Sequence, residues 1–168
     1  APNIEQIGDK GLAFTCLSEI DFSNLTSAGW GAFTTNNYLV SVNLPKLKTA
    51  TDSIFFDCER LTKVNLESAE TLETDAFRDC YFLRNINVEN VKELKGERIF
   101  NYCKNLRMLD LPELVTSNSK HCFEDCYYLS TISIPKLKSI DDYCFVDCQR
   151  LRRLYLESVE TIGKNVFG

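Results

Sequence analysis

Histidine is almost missing from this chain: one in 168 residues, beside one tryptophan and one methionine. That scarcity removes the usual base of nucleophilic catalysis and the commonest protein ligand for transition metals. The single copy, His121, adjoins Cys122, but adjacent residues on a turn point in different directions, so an exposed turn histidine is expected. Glycine is sparse too: seven scattered copies make neither a phosphate-cradling loop nor a nucleophile elbow. Long apolar runs are lacking, and nothing approaches the roughly 18 residues of a membrane-spanning helix. Basic residues do not dominate: 19 Lys and Arg against 24 Asp and Glu leave a net charge of −5. With a pI near 5.0, that argues against nucleic acid as a partner. An enzyme, a cofactor and direct membrane insertion are all unexpected.

What the chain has instead is repetition. Phe33, Phe55, Phe77, Phe100, Phe123, Phe145 and Phe167 follow one another at steps of 22, 22, 23, 23, 22 and 22. Within a period the apolar positions recur at fixed offsets, as in Phe77, Cys80, Leu83, Ile86, Val88, Val91 and Leu94. Leu17, Ile20, Phe22, Leu25 and Ala28 make a degenerate copy, and Asn36 is a polar lapse in an otherwise regular one. Around Val64 and Leu66 apolar and polar residues alternate, the period of a strand with one buried face. The stretch before each Phe, such as Thr74-Asp75-Ala76, reads as a short helical turn with an acidic start. A repeat of this length is the signature of a leucine-rich-repeat solenoid. The expected fold class is therefore α/β: a β-rich, right-handed solenoid with parallel strands stacked in one long sheet at the 22–23-residue period.

The repeat resembles the BspA-type leucine-rich repeat of bacterial and protist surface proteins. Leu129-x-x-Ile132-x-Ile134-Pro135-x-Leu137-x-x-Ile140, then Cys144-Phe145-x-x-Cys148, carries the resemblance, with Asp75-Ala76-Phe77-x-x-Cys80 and Ile162-Gly163 as further matches. The small residue before Phe departs from the pattern at Ile54, Ile99, Cys122, Cys144 and Val166. The resemblance implies a surface-exposed, adhesin-like role, binding a protein or other extracellular macromolecule of a host or matrix. Residues 1–168 are expected to be one domain of about seven repeats with an irregular first turn over 1–32. The missing initiating Met, and an end at Phe167-Gly168 without a polar cap, suggest a segment of a longer protein. The expected location is the cell surface or the exterior, with the cytoplasm as the alternative.

Eight cysteines would suggest disulfides or a metal if they were irregularly placed. Cys58, Cys80, Cys103, Cys126 and Cys148 instead share one offset, and Cys122 and Cys144 share another. Side chains stacked about 4.8 Å apart exceed the roughly 3.8 Å a disulfide prefers, so buried free thiols are expected over disulfides or zinc. With Phe55, Phe77, Phe100, Phe123 and Phe145 they should form two structural ladders. Asp57, Asp79, Asp125 and Asp147, each just before a ladder Cys, suggest Asx-type hydrogen bonds in a turn.

Two surfaces are candidates for recognition. The outward side chains of the strands include Lys63, Asn65, Asn87, Met108, Asp110, Arg153 and Tyr155. Asn43, Asn65 and Asn87 would stack in adjacent turns and could form an amide ladder, a stabilising role. The loop after the ladder position carries Tyr38, Tyr81, Phe82, Tyr127 and Tyr128, aromatics of the kind enriched at interfaces, with packing over the rim of the ladder as the alternative role. The competing reading is a rigid spacer or intracellular scaffold with no dedicated ligand site.

Overall fold

The computed structural model describes residues 3–168, and these wind as a solenoid of short parallel strands, numbered β1 to β15 in chain order. One side holds β2 (Glu19–Asp21), β4 (Ser41–Asn43), β6 (Lys63–Asn65) and β8 (Asn85–Asn87), paired in that order. It continues, after an interruption, with β10 (Met108–Asp110), β12 (Thr131–Ser133) and β14 (Arg153–Tyr155). The register follows the repeat: Val42 lies beside Val64, Val64 beside Ile86, and Leu109 beside Ile132. In nearly every strand of this sheet the middle residue is buried and its neighbours are not, which is the alternation read from sequence.

The return path carries a second parallel sheet that the spacing did not announce. It comprises β5 (Thr49–Ala50), β7 (Thr71–Glu73), β9 (Glu93–Lys95) and β11 (Thr116–Ser117). Shorter pairs continue it at β13 (Ser139–Ile140) with β15 (Thr161–Ile162), and β1 (Gln6–Ile7) with β3 (Ser27–Ala28). Strands of two or three residues are too short to show a period of two, so the sequence hides them.

No helix occurs among the described residues, and the acidic stretch before each Phe is not a helical turn. The backbone explains why. Two residues before and two after the Phe position, φ is positive in turn after turn: Ser53 and Asp57, Asp75 and Asp79, Arg98 and Tyr102, His121 and Asp125, Tyr143 and Asp147. Left-handed residues at that spacing stop any helix from propagating. The Phe N–H turns sideways instead. Phe55 donates to the carbonyl of Ala76 at 2.9 Å, Phe77 to Ile99 at 2.9 Å and Phe123 to Cys144 at 2.9 Å. Asp is one of the few residues that tolerates this region, which accounts for the recurring Asp before the ladder cysteine. Those four carboxylates make no Asx hydrogen bond among the described residues, so the expectation of that bond is replaced by a conformational reason.

Two columns dominate the core. The Phe rings stack at centroid separations of 5.4 Å from Phe33 to Phe123 and 5.3 Å from Phe123 to Phe145, nearly parallel apart from the 19° between Phe55 and Phe77. Beside them each ladder thiol donates to the carbonyl of the preceding turn's Phe: Cys58 to Phe33, Cys80 to Phe55 and Cys103 to Phe77, all at 3.2 Å. Cys126 and Cys148 repeat the contact at 3.1 and 3.0 Å. Asn36 heads the column. Fully buried, it donates through Nδ2 to Phe33 at 2.7 Å and to Leu12 at 2.8 Å, and its Oδ1 accepts the Thr15 N–H at 2.9 Å. The polar lapse is therefore the joint between the regular ladder and the irregular first turn.

The two 23-residue steps carry their extra residue between the second strand and the Phe. Five residues lie between Leu94 and Phe100 and between Ser117 and Phe123, where four lie between Leu72 and Phe77. In the first of these, Gly96 adopts φ 99°, and a Cβ there would fall 2.0 Å from Thr74 Oγ1, so only glycine fits. Asn118 in the next turn accepts the Gly96 N–H at 2.8 Å, tying the two insertions together.

Candidate binding surfaces

The face formed by β2, β4, β6 and β8 carries a shallow concavity of about 1070 Å³. Its floor is the strand middle residues Ile20, Val42, Val64 and Ile86, and its polar lining includes Lys63, Asn65, Arg84, Asn87 and Arg107. Along its centre runs an amide ladder. Asn43 Nδ2 donates to Asp21 Oδ1 at 2.8 Å, Asn65 to Asn43 at 2.8 Å, and Asn87 to Asn65 at 3.2 Å. One amide proton of each Asn is thus spent within the protein, and Asn87 Oδ1 ends the ladder at the edge of β8.

There the sheet opens. β8 and β10 do not pair, although β9 and β11 on the other side do. Ile86, the middle residue of β8, is only half-buried. Elsewhere in this column the N–H groups of Arg84 and Asn85 both reach the Thr62 carbonyl at 3.1 Å. Their equivalents one turn on, the N–H groups of Arg107 and Met108, have no protein acceptor among the described residues.

The structure brings the seven strand candidates to one face but divides them between two paired segments. Lys63, Asn65 and Asn87 belong to the first, while Met108, Asp110, Arg153 and Tyr155 belong to β10 and β14. Met108 is 66% exposed and Tyr155 50%, large values for side chains of this kind. Tyr81, Tyr127 and Tyr128 lie apart, on the loop edge. Tyr127 and Tyr128 meet edge to face at 4.9 Å, and the Arg150 guanidinium sits 5.7 Å from each ring. Lys104 caps Tyr81 at 5.0 Å. Burial and the nearby Asp79 carboxylate push the Tyr81 hydroxyl above its ordinary pKa. Sequence reasoning missed Arg84 and Arg107; sorting the cations by repeat offset would have found them.

The chemistry of the remaining candidates is quiet. All eight cysteines are free, and all but Cys16 and Cys148 are buried. Burial pushes the Cys58 and Cys148 thiols up to about 12, and the other ladder thiols rise well above their ordinary value for the same reason. Such thiols are neither nucleophiles nor ligands at neutral pH. Among the described residues no group of three or more His, Cys, Asp or Glu is placed to hold a metal. His121 is half-exposed, stacked on Tyr143 at 4.9 Å with its Nδ1 2.9 Å from Glu124 Oε2, while Cys122 is buried in the core. Among the described residues no helix is long and apolar enough to cross a membrane.

Parallel strands in register, a stacked Phe column and a 22-residue turn define a leucine-rich-repeat solenoid. The chain belongs to the BspA type Leucine rich repeat region family, which matches in six copies over residues 1–84 and 70–168. Three solved structures share the fold. A leucine rich repeat protein of T. pallidum superposes with a TM-score of 0.83 at 21% identity, covering 94% of this chain and 77% of its own. A leucine-rich repeat protein from Bacteroides ovatus gives 0.71 at 20% identity, covering 98% of this chain and 50% of its own. A leucine rich cell surface protein from Faecalibacterium prausnitzii gives 0.64 at 19% identity, covering 91% and 51%. The chain thus spans about half the length of the last two. No curated protein matches the sequence.

Proposed function

We propose that this chain is a non-catalytic interaction module displayed at a cell surface or outside the cell, which engages a host or matrix macromolecule through its sheet face. The observation that carries the reading is the concavity along β2 to β8, an extended surface of the kind solenoids use for partners. The description of the Faecalibacterium relative as a cell surface protein favours the location. The thiols do not count against an oxidising exterior, because seven of the eight are wholly or partly shielded. The test is binding to immobilised matrix proteins by the native chain and by a variant carrying Asn65→Ala, Asn87→Ala, Asp110→Ala and Tyr155→Ala. Loss in the variant supports recognition by this face; undiminished binding moves it elsewhere, and no binding by either leaves the rigid spacer. Antibody labelling of intact against permeabilised cells decides the location.

A further inference from the structure

Charge is arranged differently on the two sides of this coil. Away from the first sheet, Lys48, Lys92, Lys95, Lys120, Lys136 and Lys138 each pair with a carboxylate of the same chain. On the first sheet four turns carry one base and one acid each, at opposite ends of the strand. They are Lys63 and Glu67, Arg84 and Glu89, Arg107 and Asp110, and Arg153 and Glu157. All eight are exposed, and none forms an ion pair among the described residues. The base always comes first along the chain, and the strands are parallel, so the bases line one edge of the face and the acids the other. β4 and β12 contribute no charge, and only β2, with Glu19 and Asp21, breaks the order. The loop ahead of the basic edge carries its own acids, Asp57, Glu59, Asp79 and Asp125, so the polarity belongs to the face and not to that whole side.

The two edges are too far apart to neutralise each other. Extended chain puts each base about 10–16 Å from the acid of its own turn, beyond ion-pair reach and past the screening length of physiological salt. Within an edge like charges stack instead: Arg84 and Arg107 share one repeat position, as do Glu67 and Glu89. Neighbours of one sign repel. A surface that relieves both edges needs an acidic line and a basic line at the same separation, with the same spacing from turn to turn. A second copy of this chain has both by construction.

We propose that the first-sheet face binds a second copy of the chain, face to face about a twofold axis that runs along the solenoid. Under that symmetry the strands of the two copies run antiparallel and each turn faces its own equivalent. Arg84 meets Glu89 of the second copy while Glu89 meets its Arg84, and the other three turns do the same, an isologous contact. A twofold axis along the strands would set base against base, so the charges select one orientation. Met108 and Tyr155, 66% and 50% exposed, supply apolar contact between the edges. Long side chains at both edges span the concavity along β2 to β8, which stays wet. Seven strands spaced about 4.8 Å present roughly 500 Å² per copy, the size of a weak and reversible contact. This goes beyond the host or matrix reading and does not rest on it.

The test is sedimentation velocity on the purified chain from about 5 to 200 μM, at ~0.05 M and ~0.5 M salt. The dimer fraction should rise with concentration, and high salt should weaken association about tenfold or more. Arg84→Glu with Arg107→Glu makes both edges acidic in those turns, and Glu89→Lys with Asp110→Lys makes both basic. Each variant should be monomeric alone. Their equimolar mixture should dimerise at least as tightly as the native chain, since every facing pair is then of opposite sign. The lysine variant carries less net charge than the native −5, so overall repulsion does not explain its failure to self-associate. Rescue in the mixture also shows that both variants fold. Lys48→Ala with Lys92→Ala, on the other side of the coil, should dimerise as the native chain does. A native chain that stays monomeric at the highest concentration overturns the proposal and leaves the face to a foreign partner. A dimer that survives both reversals places the contact elsewhere and overturns it too, and a mixture that remains monomeric removes the twofold arrangement. Binding to matrix proteins is a separate measurement, so the two readings fail independently.

Discussion

A thiol buried against the carbonyl of the turn below it differs from a reactive cysteine in two measurable ways. First, iodoacetamide should label native protein at Cys16, the exposed thiol, and reach Cys58, Cys80, Cys103 and Cys126 only on unfolding; mass spectrometry reads the order. Rapid labelling of the ladder in native protein would contradict the burial. Second, the pH dependence follows from linkage. Cys58 titrates near 12 when folded, against 9.0 for the ordinary thiol, so the folded state holds its proton more tightly. Its contribution is fully present below pH 9 and is lost as pH rises towards 12. Urea midpoints measured across that window should fall in the native chain and fall less in Cys58→Ala. Asp57 works in the same sense among carboxylates: burial first, then Glu59 and Asp79, raise its pKa, so its charge opposes folding at neutral pH. Asp57→Asn keeps a residue suited to positive φ and removes that charge, so its melting temperature at pH 7 should rise.

At the scale of the element, the turn around each Phe depends on backbone conformation more than on side-chain contacts. Asp79 has φ 61°. Replacement by Asn, which tolerates that region, should be nearly neutral, whereas Asp79→Val should destabilise by roughly 1–2 kcal/mol from the left-handed conformation alone. Equal urea midpoints for the two variants would remove the conformational explanation. This feature also marks the limit of what the sequence disclosed. The Phe and Cys columns and the first-sheet strands were legible, because each position repeats one residue type and one burial. The left-handed position two residues before Phe was not, since it is Ser53, Asp75, Arg98, His121 and Tyr143 in successive turns. An acidic start therefore looked like a helix cap. The amide ladder was legible as a column of Asn, but the opening beyond Asn87 was not, because Asn85-Ile86-Asn87 alternates as well as any other strand.

For the molecule as a whole, stacking decides how stability is distributed. Each turn touches only the turns above and below, so the total is close to a sum of turn and interface terms. The turns are not equally enclosed. Leu129, Ile132, Ile134, Leu137 and Ile140 are buried, whereas their counterparts Leu151, Leu154, Leu156 and Val159 are half-buried and Ile162 is exposed. Hydrogen exchange should therefore show residues 145–168 opening at lower free energy than the central turns, where the Phe column is closed on both sides. Phe77 sharpens the test, since its ring stacks at 5.4 Å on both Phe55 and Phe100. Phe77→Ala should cost about 3–5 kcal/mol. In a nearest-neighbour stack that loss appears as reduced protection in the adjoining turns, while the distant turn around Phe145 keeps the protection it had. If exchange instead fell by the same amount at every amide, the coil would be unfolding as one cooperative unit, and the turn-by-turn account of its stability would be wrong.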